Sequence, residues 1–160
     1  MKEIQLTQGK VALVDDEDYE YLNQFKWHVN KYGNIFYAYR NIKKLNGKQS
    51  SFSMHRTIMN ANKGCIIDHI NQDTLDNRKI NLRICTQSQN QMNRNKTIKN
   101  KTGYKGVIQK SNNKFGVQIT LNKKIIHIGY YIDPKDAARA YNEAAIKYHG
   151  EFANLNKIEI

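Results

Sequence analysis

Asp68 and His69 stand side by side at the end of a short apolar run, Cys65-Ile66-Ile67, and are the residues best equipped for chemistry. A carboxylate is a hard oxygen donor, suited to Mg²⁺ or Mn²⁺. An imidazole with an ordinary pKa of about 6.5 can take a proton from water near neutral pH. Two asparagines follow at intervals. Asn81 opens a second strand-like run, Asn81–Cys85, where its amide can bond loop backbone and hold the His69 turn in shape. Asn90 falls in the first turn or so of a helix and can offer an amide oxygen to the same cation. Adjacent strand residues point to opposite faces, so Asp68 and His69 need a local bend to serve one centre. On spacing alone, an Asp-His pair beside an Asn- and Asp-rich loop is more often structural than catalytic.

The elements around these residues follow from pattern. Residues 61–95 read as strand, polar loop, strand, helix. Thr86 with Gln89 three residues on makes a capping box, which starts the helix near Gln87. Upstream, Val11–Val14 is a strand, and Asp15 or Asp16 caps a helix with an acidic first turn and a Tyr19, Leu22, Phe25 stripe. Ile35–Ile42 and Ser51–Met59 read as strands, with Asn46-Gly47 as a turn between them. This first stretch reads as scaffold. Residues 93–101 have almost no apolar content and read as an extended basic linker. Beyond it, Tyr104–Lys110, Phe115–Leu121 and Lys124–Tyr131 predict a three-stranded antiparallel meander, with Ser-Asn-Asn and Asn-Lys turns. Asp133 caps a final helix with Pro134 at its first position. Ala137, Ala138, Tyr141, Ala144, Ala145 and Tyr148 recur along it at helical spacing, and Gly150 closes it. The predicted class is α+β, divided as 1–95, a linker at 96–101, and 102–160.

Composition narrows the function classes. At 160 residues the chain is one ordinary domain or two small ones. No apolar run reaches the roughly 18 residues of a membrane span, and no signal peptide is visible at Met1. Two cysteines, Cys65 and Cys85, are too few for a disulfide framework or a four-thiolate zinc site, so a reducing cytoplasm is the expected location. The net charge is +12. An AT-rich codon bias would add lysine and explain part of that total. It would not strip one block of acids, and between Asp76 and Asp133 there is none. That block carries twelve cations, from Arg78 to Lys124, equal to the whole net charge. It reads as a phosphate-facing surface.

The run IIDHINQDTLDNRKINLR, with MHR before it and QNQMNRN after it, resembles the HNH family of phage and intron-encoded endonucleases, in the branch where a helical asparagine replaces the last histidine. The likeness covers about Met54 to Asn95. It implies a ββα-metal site holding one divalent cation, Mg²⁺ or Mn²⁺. It implies His69 as general base, Asp68 and Asn90 as metal ligands, and Asn81 as the middle asparagine that supports the loop. Asn93 is an alternative to Asn90, and His55 lies where family members carry a histidine or a phosphate contact. The zinc-binding cysteine pairs of some members are absent, so no structural zinc is expected, and Cys65 and Cys85 read as buried thiols.

The C-terminal runs TGYKGVIQK, KFGVQITLN and IHIGYYIDPKDAARAYNEAAIKYHGEFANLN are similar to the DNA-binding domain of the Apetala-two/ethylene-response-factor class. That resemblance implies a sheet laid in the major groove, with Lys105, Lys110, Lys114, Gln118, Thr120 and His127 at the contacting positions. Arg94, Lys99 and Lys101 join them from the linker. Lysine at arginine positions loses bidentate reading of guanine, and His127 stands where a tryptophan is typical. Together the two resemblances imply a metal-dependent, site-specific endonuclease of the homing type acting on double-stranded DNA. It would leave 3′-hydroxyl and 5′-phosphate ends, as a monomer or homodimer, with no membrane and no obligate protein partner. A DNA-binding regulator with a degenerate nuclease fold is the alternative; an RNA-binding protein is weaker, for want of exposed stacking motifs.

Overall fold

A computed structural model describes residues 1–43, 47–96, 100–111 and 113–159. The chain is a mixture of helices and small antiparallel sheets, an α+β architecture. It divides into two compact units, Met1–Cys85 and Thr86–Ile160, so the division falls ahead of Asn95 and the helix that follows Cys85 goes with the second unit. Among the described residues no helix is long and apolar enough to cross a membrane.

The first unit begins with a hairpin of β1 (Lys2–Gln5) and β2 (Val11–Val14), followed by α1 (Asp16–Leu22). Asp15 takes the cap position of α1 in extended backbone, and its carboxylate accepts the Lys79 amide instead of one from its own helix. Next come β3 (His28–Tyr32), β4 (Ile35–Lys43) and β5 (Gln49–Ser53), a sheet in that order. Val14, Leu22, Trp27, Val29, Ala38 and Met54 are buried together as its core. The Trp27 indole N–H donates to the Leu22 carbonyl, so its polar handle is satisfied inside.

The strand expected over Ser51–Met59 stops at Ser53. The chain then turns into α2 (Met54–Ile58). The Thr57 hydroxyl donates to the Ser53 carbonyl, and the Arg56 guanidinium donates to the carbonyls of Cys65, Ala61 and Asn62. Such side-chain-to-backbone bonds fold a turn without leaving a periodic sequence signal. Asn46, half of the expected turn before β5, lies outside the described residues. The unit closes with β6 (Ile66–His69) paired antiparallel to β7 (Leu82–Cys85).

The second unit opens with α3 (Gln87–Asn93), started by the expected capping box: the Thr86 hydroxyl accepts the Gln89 amide, and the Gln89 side chain accepts the Thr86 amide. Then β8 (Val107–Gln109), β9 (Phe115–Leu121) and β10 (Lys124–Tyr131) form an antiparallel meander. β8 is shorter than expected. The residues before it form a turn held by Asn100, which accepts the Thr102 and Gly103 amides and donates to the Tyr104 carbonyl. Asn112 of the following turn lies outside the described residues. α4 (Pro134–His149) is capped by the Asp133 carboxylate, as expected. Its Ala137, Ala138, Tyr141, Ala144 and Ala145 are buried against Val107, Val117 and Ile119. Gly106, at φ +75, leaves room for this fit: a Cβ there would lie 1.9 Å from the Tyr141 ring and 2.9 Å from the Gln118 carbonyl.

Candidate active site

Asp68 and His69 are the last two residues of β6 and both are buried. The pleat continues through them: Asp68 lies opposite Arg83 and His69 opposite Leu82. The Asp68 carboxylate accepts from Arg83 at 3.0 Å (Nε) and 2.7 Å (Nη2). With 7% and 12% of their side chains exposed, the two form a nearly buried ion pair. The His69 ring meets His55 edge-on at 5.2 Å between centroids and Tyr37 at 6.2 Å. His55 also stands 5.8 Å from Tyr37, and its Nε2 is 3.2 Å from the Ser53 hydroxyl.

Burial holds the His69 imidazole below its ordinary range, against the Asn77 side chain and the carboxylates of Asp68, Asp73 and Asp76, which draw it back up. A His69 ring that is neutral at pH 7 has a nitrogen lone pair with which to accept a proton. Burial, helped by His69 and Arg56, pushes His55 down to about 3.

The polar loop between β6 and β7 is held from inside. The Asn81 side chain reaches across it, accepting the Asn71 amide at 2.9 Å and donating to the Asp76 carbonyl at 2.7 Å. The Asp76 carboxylate accepts from Arg78 at 2.7 and 2.6 Å and from the Asn71 side chain at 2.9 Å. Leu13 of β2 clasps the loop, donating to the Leu75 carbonyl at 2.9 Å and accepting the Asn77 amide at 2.8 Å. No pattern in the sequence marks Tyr37, Asn77 or Arg83 as neighbours of the pair. Tyr37 is far from His69 in the chain, and its only signal is its alternation with buried Ala38.

Asn90 and Asn93 lie on α3 in the second unit, half-buried and buried respectively. The Asn93 carbonyl accepts from the Asn154 side chain. Among the described residues no group of three or more His, Cys, Asp or Glu side chains gathers to cage a metal. A lone carboxylate with amide oxygens is a thin, hard donor set. It fits an ion such as Mg²⁺, which keeps several waters and takes substrate phosphate oxygens. Cys65 and Cys85 are free thiols, Cys85 buried and its thiol raised by that burial.

On the second unit's sheet, Gln118 lies directly opposite His127, and Thr120 opposite Ile125, so these four share a face. Val117 and Ile119 alternate with them and face α4. Lys110 crosses the same outer face, where a Cβ on Gly116 would meet it at 3.2 Å. Lys110, Lys114, Thr120 and His127 are exposed, as are Arg94 and Lys101. Lys105 differs. Its ammonium donates to the Met92 carbonyl, and burial lowers it to about 8. Lys99 lies outside the described residues.

Residues 54–92 match the model of the HNH endonuclease family. Over 155 residues the chain is 30% identical to an uncharacterized HNH endonuclease of Acanthamoeba polyphaga mimivirus, covering 94% of this chain and 77% of that protein. Over 53 residues it is 40% identical to an AP2/ERF and B3 domain-containing protein of Oryza sativa subsp. japonica, 33% of this chain and 14% of that protein. With the mimivirus relative matching most of both chains and the family pattern falling on the Asp68-His69 hairpin, the chain belongs to the HNH endonuclease family.

Proposed function

We propose that the protein is a metal-dependent DNA endonuclease of the homing type, with His69 as its general base. One observation carries this reading: a buried His69, lowered by burial, at the end of a strand whose following loop is clamped by Asn81. His69 takes a proton from a water molecule, whose oxygen forms a bond to the scissile phosphorus. The bond from phosphorus to the 3′ oxygen breaks, that oxygen takes a proton from solvent, and 3′-hydroxyl and 5′-phosphate ends result. Asn81 keeps the loop, and so the imidazole, in one position. Asp68 would help hold one divalent cation, Mg²⁺ or Mn²⁺, which when bound offsets charge on the phosphate and the departing oxygen. The outer face of the second sheet, through Lys110, Lys114, Gln118, Thr120 and His127, holds duplex DNA, and Arg94 and Lys101 add phosphate contacts. Each chain carries one such site and cuts one strand, so a double-strand break needs two chains or two visits.

The Asp68–Arg83 ion pair favours one rival, a DNA-binding regulator in which Asp68 is purely structural. A plasmid assay separates the two. With Mg²⁺ or Mn²⁺ the protein should convert supercoiled DNA to nicked circles, and a chelator should stop it. His69→Ala should lose at least about a hundredfold in rate. A His69→Ala variant as fast as the parent removes His69 as base, and a parent that binds DNA but never nicks it leaves the regulator.

A further inference from the structure

The first unit has an acid-free stretch of its own. Between Glu20 and Asp68 there is no Asp or Glu, while Lys26, Lys31, Arg40, Lys43 and Lys63 fall within it. The strands β3, β4 and β5 all fall within that stretch, and the register separates the two faces of their sheet. On one, Val29 lies opposite Ala38 and Arg40 opposite Phe52. This face turns inward at Val29 and Ala38, which are buried, and the Arg40 guanidinium stacks 3.7 Å over Phe25, while Phe52 at the sheet's far side is exposed. On the other, Asn30 lies opposite Tyr37, Tyr32 opposite Ile35, and Lys43 opposite Gln49.

This second face is half-buried at Asn30 and Tyr37 and opens toward Tyr32, Lys43 and Gln49, with donors along it. Tyr32 is 56% exposed, and Lys43 and Gln49 are exposed too. Phenol, amide and ammonium groups can all donate to phosphate oxygens, and no carboxylate stands among them to repel a polyanion. The face also leads to the candidate active site. The Tyr32 and Tyr37 rings are 6.0 Å apart, and Tyr37 is 6.2 Å from His69. Rings thus run without a break from an exposed tyrosine to a buried imidazole.

We propose that the Asn30, Tyr32, Tyr37 and Lys43 face of the β3–β4–β5 sheet is a duplex-DNA platform that holds backbone phosphates flanking the bond positioned at His69. The placement of that flank rests on His69 being the nuclease residue; the binding does not. The platform supplies affinity independent of sequence, because its donors meet phosphates rather than base edges.

The test uses the full chain with a fluorescent duplex of mixed sequence, titrated across salt concentrations, and plasmid nicking at saturating protein. Tyr32→Ala combined with Lys43→Glu should weaken binding at least about tenfold and flatten the salt dependence by about one unit. Unchanged affinity and salt slope overturn the platform. Should the double variant fail to fold, Lys43→Glu alone is read by the same criteria. The two readings fail separately. A parent that binds but does not nick, with binding still lost in the variant, sinks the nuclease and keeps the platform. A parent that nicks, with a variant that binds equally well, does the reverse.

Discussion

The two units are held together by different chemistry. In Met1–Cys85 the decisive contacts around the candidate site are polar. Asn81, Asp76, Asn71 and Leu13 bind backbone groups of a loop too hydrophilic to hold itself by burial. In Thr86–Ile160 the decisive contacts are apolar. An alanine-lined helix lies so close to its sheet that Gly106 has no room for a methyl group. The first arrangement fixes the direction of an imidazole, because hydrogen bonds are directional. The second fixes a rigid sheet whose outer residues have only to be presented. A loop stapled by side chains suits a site where one ring must not move, and a packed sheet suits a surface that meets many phosphates at once.

That contrast is open to attack by mutation. The largest effect is expected at Gly106→Ala, where the added Cβ meets a ring and a backbone carbonyl at positive φ. It should cost about 4 kcal/mol or more and unfold the second unit, read as lost amide protection in β8 and β9. Asn81→Ala should cost about 2 kcal/mol, by leaving the Asn71 amide and the Asp76 carbonyl without their partner. Loss of protection confined to the loop between β6 and β7 would sharpen the contrast, and no loss there would break it.

A pH experiment comes next. His55 is held at about 3 when folded, below its ordinary value of 6.5. The unfolded chain therefore binds that proton first. Stability is full above about 6.5 and declines as the pH falls toward about 3. His55→Phe should flatten this decline in an acid denaturation series; an unaltered acid limb would place its cause elsewhere. The smallest effect belongs to Lys110→Ala, which should leave the melting temperature in place and lower the salt slope of DNA binding by about one unit. A shifted melting temperature with an unmoved slope would make Lys110 part of the packing.

Local chemistry was legible from the residues themselves. The Thr86–Gln89 capping box, the Asp133 cap with Pro134 behind it, and the alanine face of the last helix each depend on residues at most a few turns apart. The strands β1 and β3 were not legible. Each is short, and each is a strand because of what it pairs with, β2 and β4. α2 hid inside an apparent strand, because bonds from Arg56 and Thr57 to backbone decide its shape.

The same division runs through the candidate site. Sequence alone determined which groups are on hand: a carboxylate and an imidazole at a strand end, an asparagine just ahead of the returning strand, and a basic stretch without acids between Asp76 and Asp133. Only the tertiary structure decided that Asp68 faces Arg83, that His69 lies edge-on to His55 and near Tyr37, and that Lys105 donates to the Met92 carbonyl. The chemistry of a side chain travels with its residue. Its partners and its burial come from segments distant in the chain, and no local pattern encodes them.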